Sequence, residues 1–272
     1  MQALGERIAE FVGGATLAGY EPLQFSALKT YDPPPESLKG TTLERVDRRG
    51  KYVQLHFGDN KIVFHLSQGG RVDFEEPPKT TRKGKGYLVR WKFDNNRAVL
   101  LKEFGTERKA GWWVLREDDI GPTEGLGPEP DSPEFHELIR TGQDNRRIHT
   151  ILRDQRTVAG IGRGYTDDAL HAAKISPFAS LKSLSADDRE RLIDAIGSVM
   201  GAGLELERKR TGGLPTKIGD HWVVHHERGK PCPVCGDDLR RVSYESHEVT
   251  YCPTCQTGGK ILADRRMSRL IR

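Results

Sequence analysis

The chain is predicted to be α+β: an antiparallel β part, then a helical part, then a β-hairpin that carries every cysteine. Three observations predict it. Short β-rich runs separated by turn residues fill the stretch from Tyr52 to Leu115. Helical periodicity takes over after the Gly- and Pro-rich stretch GPTEGLGPEPDSP at 121–133. The four cysteines stand as Cys232-x2-Cys235-x16-Cys252-x2-Cys255. At 272 residues, 35% hydrophobic and 30% charged, the chain can bury two cores of ordinary size beneath a heavily solvated surface. No apolar run approaches the roughly 20 residues needed to cross a bilayer.

Leu4, Ile8, Phe11 and Val12 fall at helical spacing, and Gly13-Gly14 would end that helix. After the break at Tyr31-Asp32-Pro33-Pro34-Pro35, strands are predicted at Tyr52–Phe57, Lys61–Leu66, Tyr87–Phe93, Ala98–Lys102 and Trp112–Leu115. Gly58-Asp59-Asn60 and Asp94-Asn95-Asn96 supply turns between neighbouring runs.

Neither helix nor strand persists through 121–133, so the domain boundary is placed there. Helices are predicted beyond it at Glu134–Arg140, Arg146–Asp154, Asp167–Lys174 and Ala186–Arg208. The last carries Leu192, Ile193, Ile196, Val199, Met200 and Leu204 along one face, a core stripe. Between two of these helices lies LRDQRTVAGIGRGY, residues 152–165, with three glycines in five positions. Such a turn lets the backbone approach something bulky, and the next helix's N-terminal amides favour an anion such as a DNA phosphate. A plain helix connection with glycine caps reads equally well.

Two Cys-x-x-Cys knuckles complete the tetrahedral shell of one structural Zn²⁺, with Cys232, Cys235, Cys252 and Cys255 as ligands and no position left for chemistry. Disulfides fit less well, because four cysteines in two tight pairs accompany no secretion signal. Reduced thiols imply a cytoplasmic setting. Leu239–Tyr244 and Glu248–Tyr251 read as the strands of the hairpin. Its spacing does not decide between nucleic acid and protein as partner. Charge leans to the former: from Gly201 onward there are 13 Lys and Arg against 9 Asp and Glu, whereas the preceding residues balance. His225 and His226 stand beside a shell already closed by thiolates and read as structural or solvent-facing.

These pieces resemble the formamidopyrimidine-DNA glycosylase and endonuclease VIII (Fpg/Nei) family of base-excision repair enzymes, and a divergent bacterial branch within it. The resemblance rests on Arg48-Arg49-Gly50-Lys51-Tyr52, on His65-Leu66 with Gly70, on Glu103-Phe104-Gly105, on the Asp154-Gln155 to Tyr165 string, and on the finger ending Cys252-Pro253-Thr254-Cys255-Gln256. It implies a β-sandwich with flanking helices, a helix-two-turn-helix domain and a zinc finger, with DNA held between the two halves. The implied division is 1–120, a linker at 121–133, a DNA-binding domain at 134–218 and a finger region at 219–272 with the finger at 230–256. It further implies bacterial, nucleoid-associated action, double-stranded DNA with damaged bases or abasic sites as partner, structural zinc as the only cofactor, and a monomer.

By the same resemblance the protein excises an extruded, oxidised base and nicks the abasic site through a Schiff base. The family's nucleophile is an N-terminal proline followed by a proton-handling glutamate. This sequence opens Met1-Gln2-Ala3-Leu4. Met1 falls where the valine after that motif would stand, so the expectation is a true start upstream. The competing expectation is a degenerate or non-enzymatic damage binder on the same scaffold, and a third is a zinc-ribbon protein that binds other proteins.

Lys51 matches the family's catalytic lysine. The implied DNA contacts are Gln68, Phe104, His149, Gly162, Arg163, Tyr165 and His247. Several depart from the family pattern. Gln68 replaces a gap-filling Met, Glu103 the arginine at the orphaned base, His149 a phosphate-binding Lys, Arg163 an Asn and His247 an Arg. Phe104 remains able to wedge between bases. These departures put lesion preference in doubt.

Overall fold

The computed structural model describes the chain apart from residues 81–85, 105–108, 215–220, 245–246 and 264–272, and for Tyr244 and His247 it describes the backbone alone. The chain forms two compact units, one of Met1–Glu124 with Leu204–Ile218, the other of Gly125–Gly203 with Gly219–Arg272.

The first unit opens with α1, Gln2–Val12, which buries Leu4, Ile8 and Val12 as the spacing predicts. Gly13 ends it, since a Cβ there would lie 2.3 Å from the Ala9 carbonyl oxygen. Eight strands follow: β1 Leu17–Pro22, β2 Arg45–Arg49, β3 Tyr52–Phe57, β4 Asn60–His65, β5 Gly70–Glu75, β6 Tyr87–Phe93, β7 Ala98–Glu103 and β8 Gly111–Arg116. They form two antiparallel sheets, ordered β1-β6-β7-β5 and β2-β3-β4-β8. One buried cluster joins residues of both sheets, with Val53, Leu55 and Phe64 from one and Val72, Trp91 and Leu101 from the other, so the unit is a sandwich. Trp91 and Trp112 meet edge to face at 5.7 Å between ring centroids.

The five expected strands are present within a residue or so of their predicted bounds. Three more, β1, β2 and β5, were not expected, and all three are edge strands. An edge strand packs less apolar surface, and β2 in Arg45-Val46-Asp47-Arg48-Arg49 has no apolar run to announce it.

In the second unit, α2 (Pro133–Thr141) is capped by Ser132, whose Oγ accepts from the Phe135 N–H at 3.2 Å. Then come α3 (Ile148–Arg153), α4 (Arg163–Ala172) and α5 (Ala186–Arg208), around a core that includes Phe135, Ile139, Ile151, Leu170, Leu192 and Ile196. The α5 stripe is fully buried only as far as Ile196. Its last residues, from Leu204, group with the first unit, where the buried Arg7 donates to the carbonyls of Glu207 and Gly212. The hairpin is β9 (Arg240–Tyr244) with β10 (His247–Tyr251), followed by the short α6 (Pro253–Thr257). No helix among the described residues is long and apolar enough to cross a membrane.

Candidate nucleic-acid interface

Sheet register gathers one group of candidate residues at a single end of the sandwich. Tyr52 at the start of β3 pairs with His65 at the end of β4, and His65 with Gly111 at the start of β8. In the other sheet Gly70, opening β5, pairs with Glu103, closing β7. Only residues 66–69 join β4 to β5, so Lys51, Gln68 and Phe104 all leave the sheets at this end.

Gln68 is exposed on a turn in which Ser67 takes a positive φ of 52° and its N–H donates to His65 Nδ1 at 3.1 Å. Phe104 is 40% exposed. The two are tied through Gly69, whose carbonyl accepts the Phe104 N–H at 2.9 Å and whose missing Cβ would sit 1.9 Å from the Phe104 carbonyl oxygen. No residue but glycine allows that approach. Lys102, not Glu103, is the neighbour that faces Phe104, with Nζ 5.2 Å from the ring centroid while it also pairs with Asp73. Glu103, expected where the family contacts the orphaned base, instead turns inward and is 5% exposed.

Lys51 follows Gly50 into β3 and lies half-buried. The Tyr52 ring stands 4.8 Å from that of His65. Burial first, then the Lys51 charge, hold the His65 imidazole down to about 4. Elsewhere in this unit a cavity of about 530 Å³ opens between β5 and residues 209–214, lined in part by Lys79, Lys209 and Arg210.

In the second unit the glycine-rich turn is braced by one side chain. Gln155 donates to the Ile161 carbonyl at 2.8 Å and accepts the Gly160 N–H at 2.9 Å. The turn delivers Gly162 as N-cap and Arg163, half-exposed, as first residue of α4. Gly164 is required beneath Trp222, whose indole would lie 2.5 Å from a Cβ. Tyr165 packs edge-on against Trp222 at 4.9 Å and over Gly203, so it supports the turn from behind. His149 is 4% exposed and hydrogen-bonded through Nε2 to Asp167 at 3.2 Å, not turned to solvent. The His247 side chain lies outside the described residues.

The four thiols do converge. Their Sγ atoms all lie within 4.8 Å of one another, with Cys232 to Cys255 at 3.8 Å and Cys235 to Cys252 at 3.4 Å. A tetrahedral Zn²⁺ with Zn–S bonds of about 2.3 Å sets its thiolates about 3.8 Å apart, so the donor set fits. The N–H groups of Val234 and Cys255 point at Cys232 and Cys252 Sγ, each at 3.4 Å, and His171 Nε2 lies 3.2 Å from Cys232 Sγ. Burial opposes ionisation of Cys232, but the Val234 and Cys235 N–H groups and His171 outweigh it. Cys252, pushed up first by its own burial to about 11, would need a bound cation to become a thiolate.

Residues outside the expected set anchor this finger to α4. Asp168 accepts the N–H groups of Val223, Val224 and His225 at 2.9, 2.9 and 3.1 Å. Asp167 accepts from His225 Nδ1 at 2.7 Å and from the Thr250 N–H at 3.1 Å, as well as from His149. Burial would push the Asp167 carboxyl up, yet the two histidines outweigh it and hold it below its ordinary value. His225 is thus a buried structural residue and His226 faces solvent, as expected beside a closed thiolate shell. The one signal for the pair was two adjacent acids directly before Ala169 and Leu170 in a helix of largely buried residues.

The formamidopyrimidine-DNA glycosylase N-terminal domain model matches residues 2–113, and the formamidopyrimidine-DNA glycosylase H2TH domain model matches 126–213. The formamidopyrimidine-DNA glycosylase of Geobacter sulfurreducens is 31% identical over 233 residues, covering 81% of this chain and 84% of that protein. The chain belongs to the formamidopyrimidine-DNA glycosylase family. These are the DNA glycosylases of base excision repair, and abasic-site lyase activity is typical of them. An uncharacterized formamidopyrimidine-DNA glycosylase-like protein of Mycobacterium tuberculosis is 46% identical over 136 residues, or 46% of this chain and 80% of that protein. In fold, the Lactococcus lactis Fpg solved in complex with an abasic site containing DNA matches with a TM-score of 0.82 at 22% identity, over 94% of this chain and 97% of that one.

Proposed function

We propose that this chain excises damaged bases, oxidised ones first among them, from duplex DNA and nicks the abasic site it creates. The observation that carries the reading is the backbone pairing of Gly69 with Phe104, which stands exposed Gln68 and exposed Phe104 side by side at the end that also holds Lys51. A base must leave the stack before C1′ can be attacked. Phe104 would enter the stack and Gln68 fill the gap left by the extruded nucleotide.

The chemistry is that of an amine. Its nitrogen bonds to C1′, the glycosidic bond breaks, and the base departs with a proton. The C1′–O4′ bond then opens, O4′ takes a proton, and the imine left at C1′ acidifies C2′, so loss of a C2′ proton expels the 3′ phosphate oxygen. Lys51 would supply positive charge and move protons beside C1′. Gly162 and Arg163 at the N-terminus of α4 would meet a phosphate, and so would His247 on β10, whereas His149 and Tyr165 would serve from behind the surface. The four cysteines would hold one structural Zn²⁺, which keeps the hairpin folded and takes no part in bond breaking. In this scheme residues 1–120 do chemistry, 134–218 and 219–272 grip DNA, and a monomer suffices.

Borohydride trapping tests this directly with protein isolated from its source. An abasic duplex plus borohydride should give a stable covalent complex, and peptide mapping reports which amine carries it. Tight binding to that duplex with neither a trapped complex nor base release would overturn the enzymatic reading in favour of a non-catalytic damage binder.

A further inference from the structure

Glu103 has no partner in the chemistry above, and it occupies the position where a DNA-facing cation was expected. Its side chain runs the other way. Oε1 accepts the N–H groups of Lys109 at 2.9 Å and Ala110 at 3.0 Å, the two residues that lead into β8. Oε2 is buried and has no hydrogen-bond partner among the described residues. The Glu103 N–H donates to the Gly86 carbonyl at 2.7 Å, and a Cβ on Gly86 would strike the Glu103 carbonyl oxygen at 2.2 Å. The next residue, Phe104, is pinned to Gly69 in the same manner. Two glycines therefore press the backbone of 103–104 from both neighbouring segments, and one carboxylate oxygen ties it to a third.

We propose that Glu103 is a positioning residue for Phe104: its buried carboxylate joins the end of β7 to the start of β8 and so fixes the direction in which the Phe104 ring projects beside Gln68. A charge that could have met DNA is spent on two backbone amides, which is why a glutamate is compatible with the site. What the amides need is an acceptor at that distance, not a charge. A glutamine keeps the acceptor. An aspartate, one methylene shorter, cannot reach both N–H groups.

This inference rests on reading Phe104 as the side chain that enters the base stack, so the experiment separates the two. The full chain, at saturating concentration, is bound to a duplex with a tetrahydrofuran abasic analogue flanked by 2-aminopurine, whose fluorescence rises when it unstacks. Phe104→Ala should cut the rise by more than about half, Glu103→Asp should match Phe104→Ala, and Glu103→Gln should match wild type. A normal rise in Phe104→Ala would overturn the wedge and this inference with it. A reduced rise in Phe104→Ala with a normal one in Glu103→Asp would overturn the role of Glu103 alone. Should Glu103→Asp not fold, Glu103→Gln decides. A wild-type rise, with the Lys109 and Ala110 amides still protected from hydrogen exchange, supports the role. A fall to the Phe104→Ala level overturns it.

Discussion

The four-thiol finger and the end of the sandwich are built in opposite ways. The finger takes its four thiols from two local turns within 24 residues, Cys232 to Cys255, and brings them together around one point in space. The sandwich end takes Lys51, Gln68 and Phe104 from three separate places in the chain and aligns them by strand register. The finger buries only two small clusters, Val224 and Leu239 with two cysteines in one and Val242, Val249 and Tyr251 in the other, so a Zn²⁺ held by the four thiols would carry much of its stability. The sandwich end stands on a two-sheet core and should persist whatever happens to the finger.

Removing the ion should produce the largest effect and sharpen the contrast most. Chelation, or Cys252→Ser, should release one zinc per chain and unfold the hairpin, since structural Zn²⁺ supplies on the order of 10 kcal/mol to domains of this kind. Zinc release measured with a colorimetric chelator, alongside circular dichroism, should report loss of the hairpin with the sandwich intact. Retained DNA affinity after full zinc loss would break the assignment.

Asp168→Ala comes next. It strands three N–H groups at Val223, Val224 and His225, for a cost of about 3 kcal/mol from lost charge-assisted bonds. Denaturant melts should show that loss in the second unit alone. An unchanged midpoint would mean that the finger's anchorage lies elsewhere.

On the sandwich side the pH dependence has a definite sign. His65 is held at about 4, below its ordinary 6.5, so the folded state binds fewer protons than the unfolded state between those values. Stability from this residue is full above about pH 6.5 and falls as pH drops toward 4, by at most about 3 kcal/mol. Urea midpoints of wild type and His65→Gln should therefore converge on acidification, and parallel curves would contradict the burial of a neutral imidazole. The smallest expected energy belongs to Phe104→Ala, which should reduce preference for an abasic duplex about tenfold, close to 1.4 kcal/mol.

The finger was legible because its information is local: two short spacings single out four thiols, and the thiols meet as the spacing predicts. The five strands with apolar runs were legible for the same reason. What stayed hidden depends on contacts between distant residues. The edge strand Arg45–Arg49 carries no periodic signal, and the return of Leu204–Ile218 to the first unit rests on Arg7 reaching carbonyls some 200 residues away. His149 illustrates the limit of a matched position: the motif places it at a phosphate contact, but Asp167, 18 residues on, draws it into the interior. In the sequence Glu103 looks like a lost DNA contact, because nothing there tells that two amides six and seven residues later need its carboxylate.

The most direct measurement is the affinity of this chain for a duplex with a tetrahydrofuran abasic analogue, compared at near-physiological salt with the same duplex undamaged. If Gln68 and Phe104 probe an interrupted stack, the abasic duplex binds at least about tenfold tighter, and both affinities fall steeply as salt rises. Equal affinities for the two duplexes would contradict it.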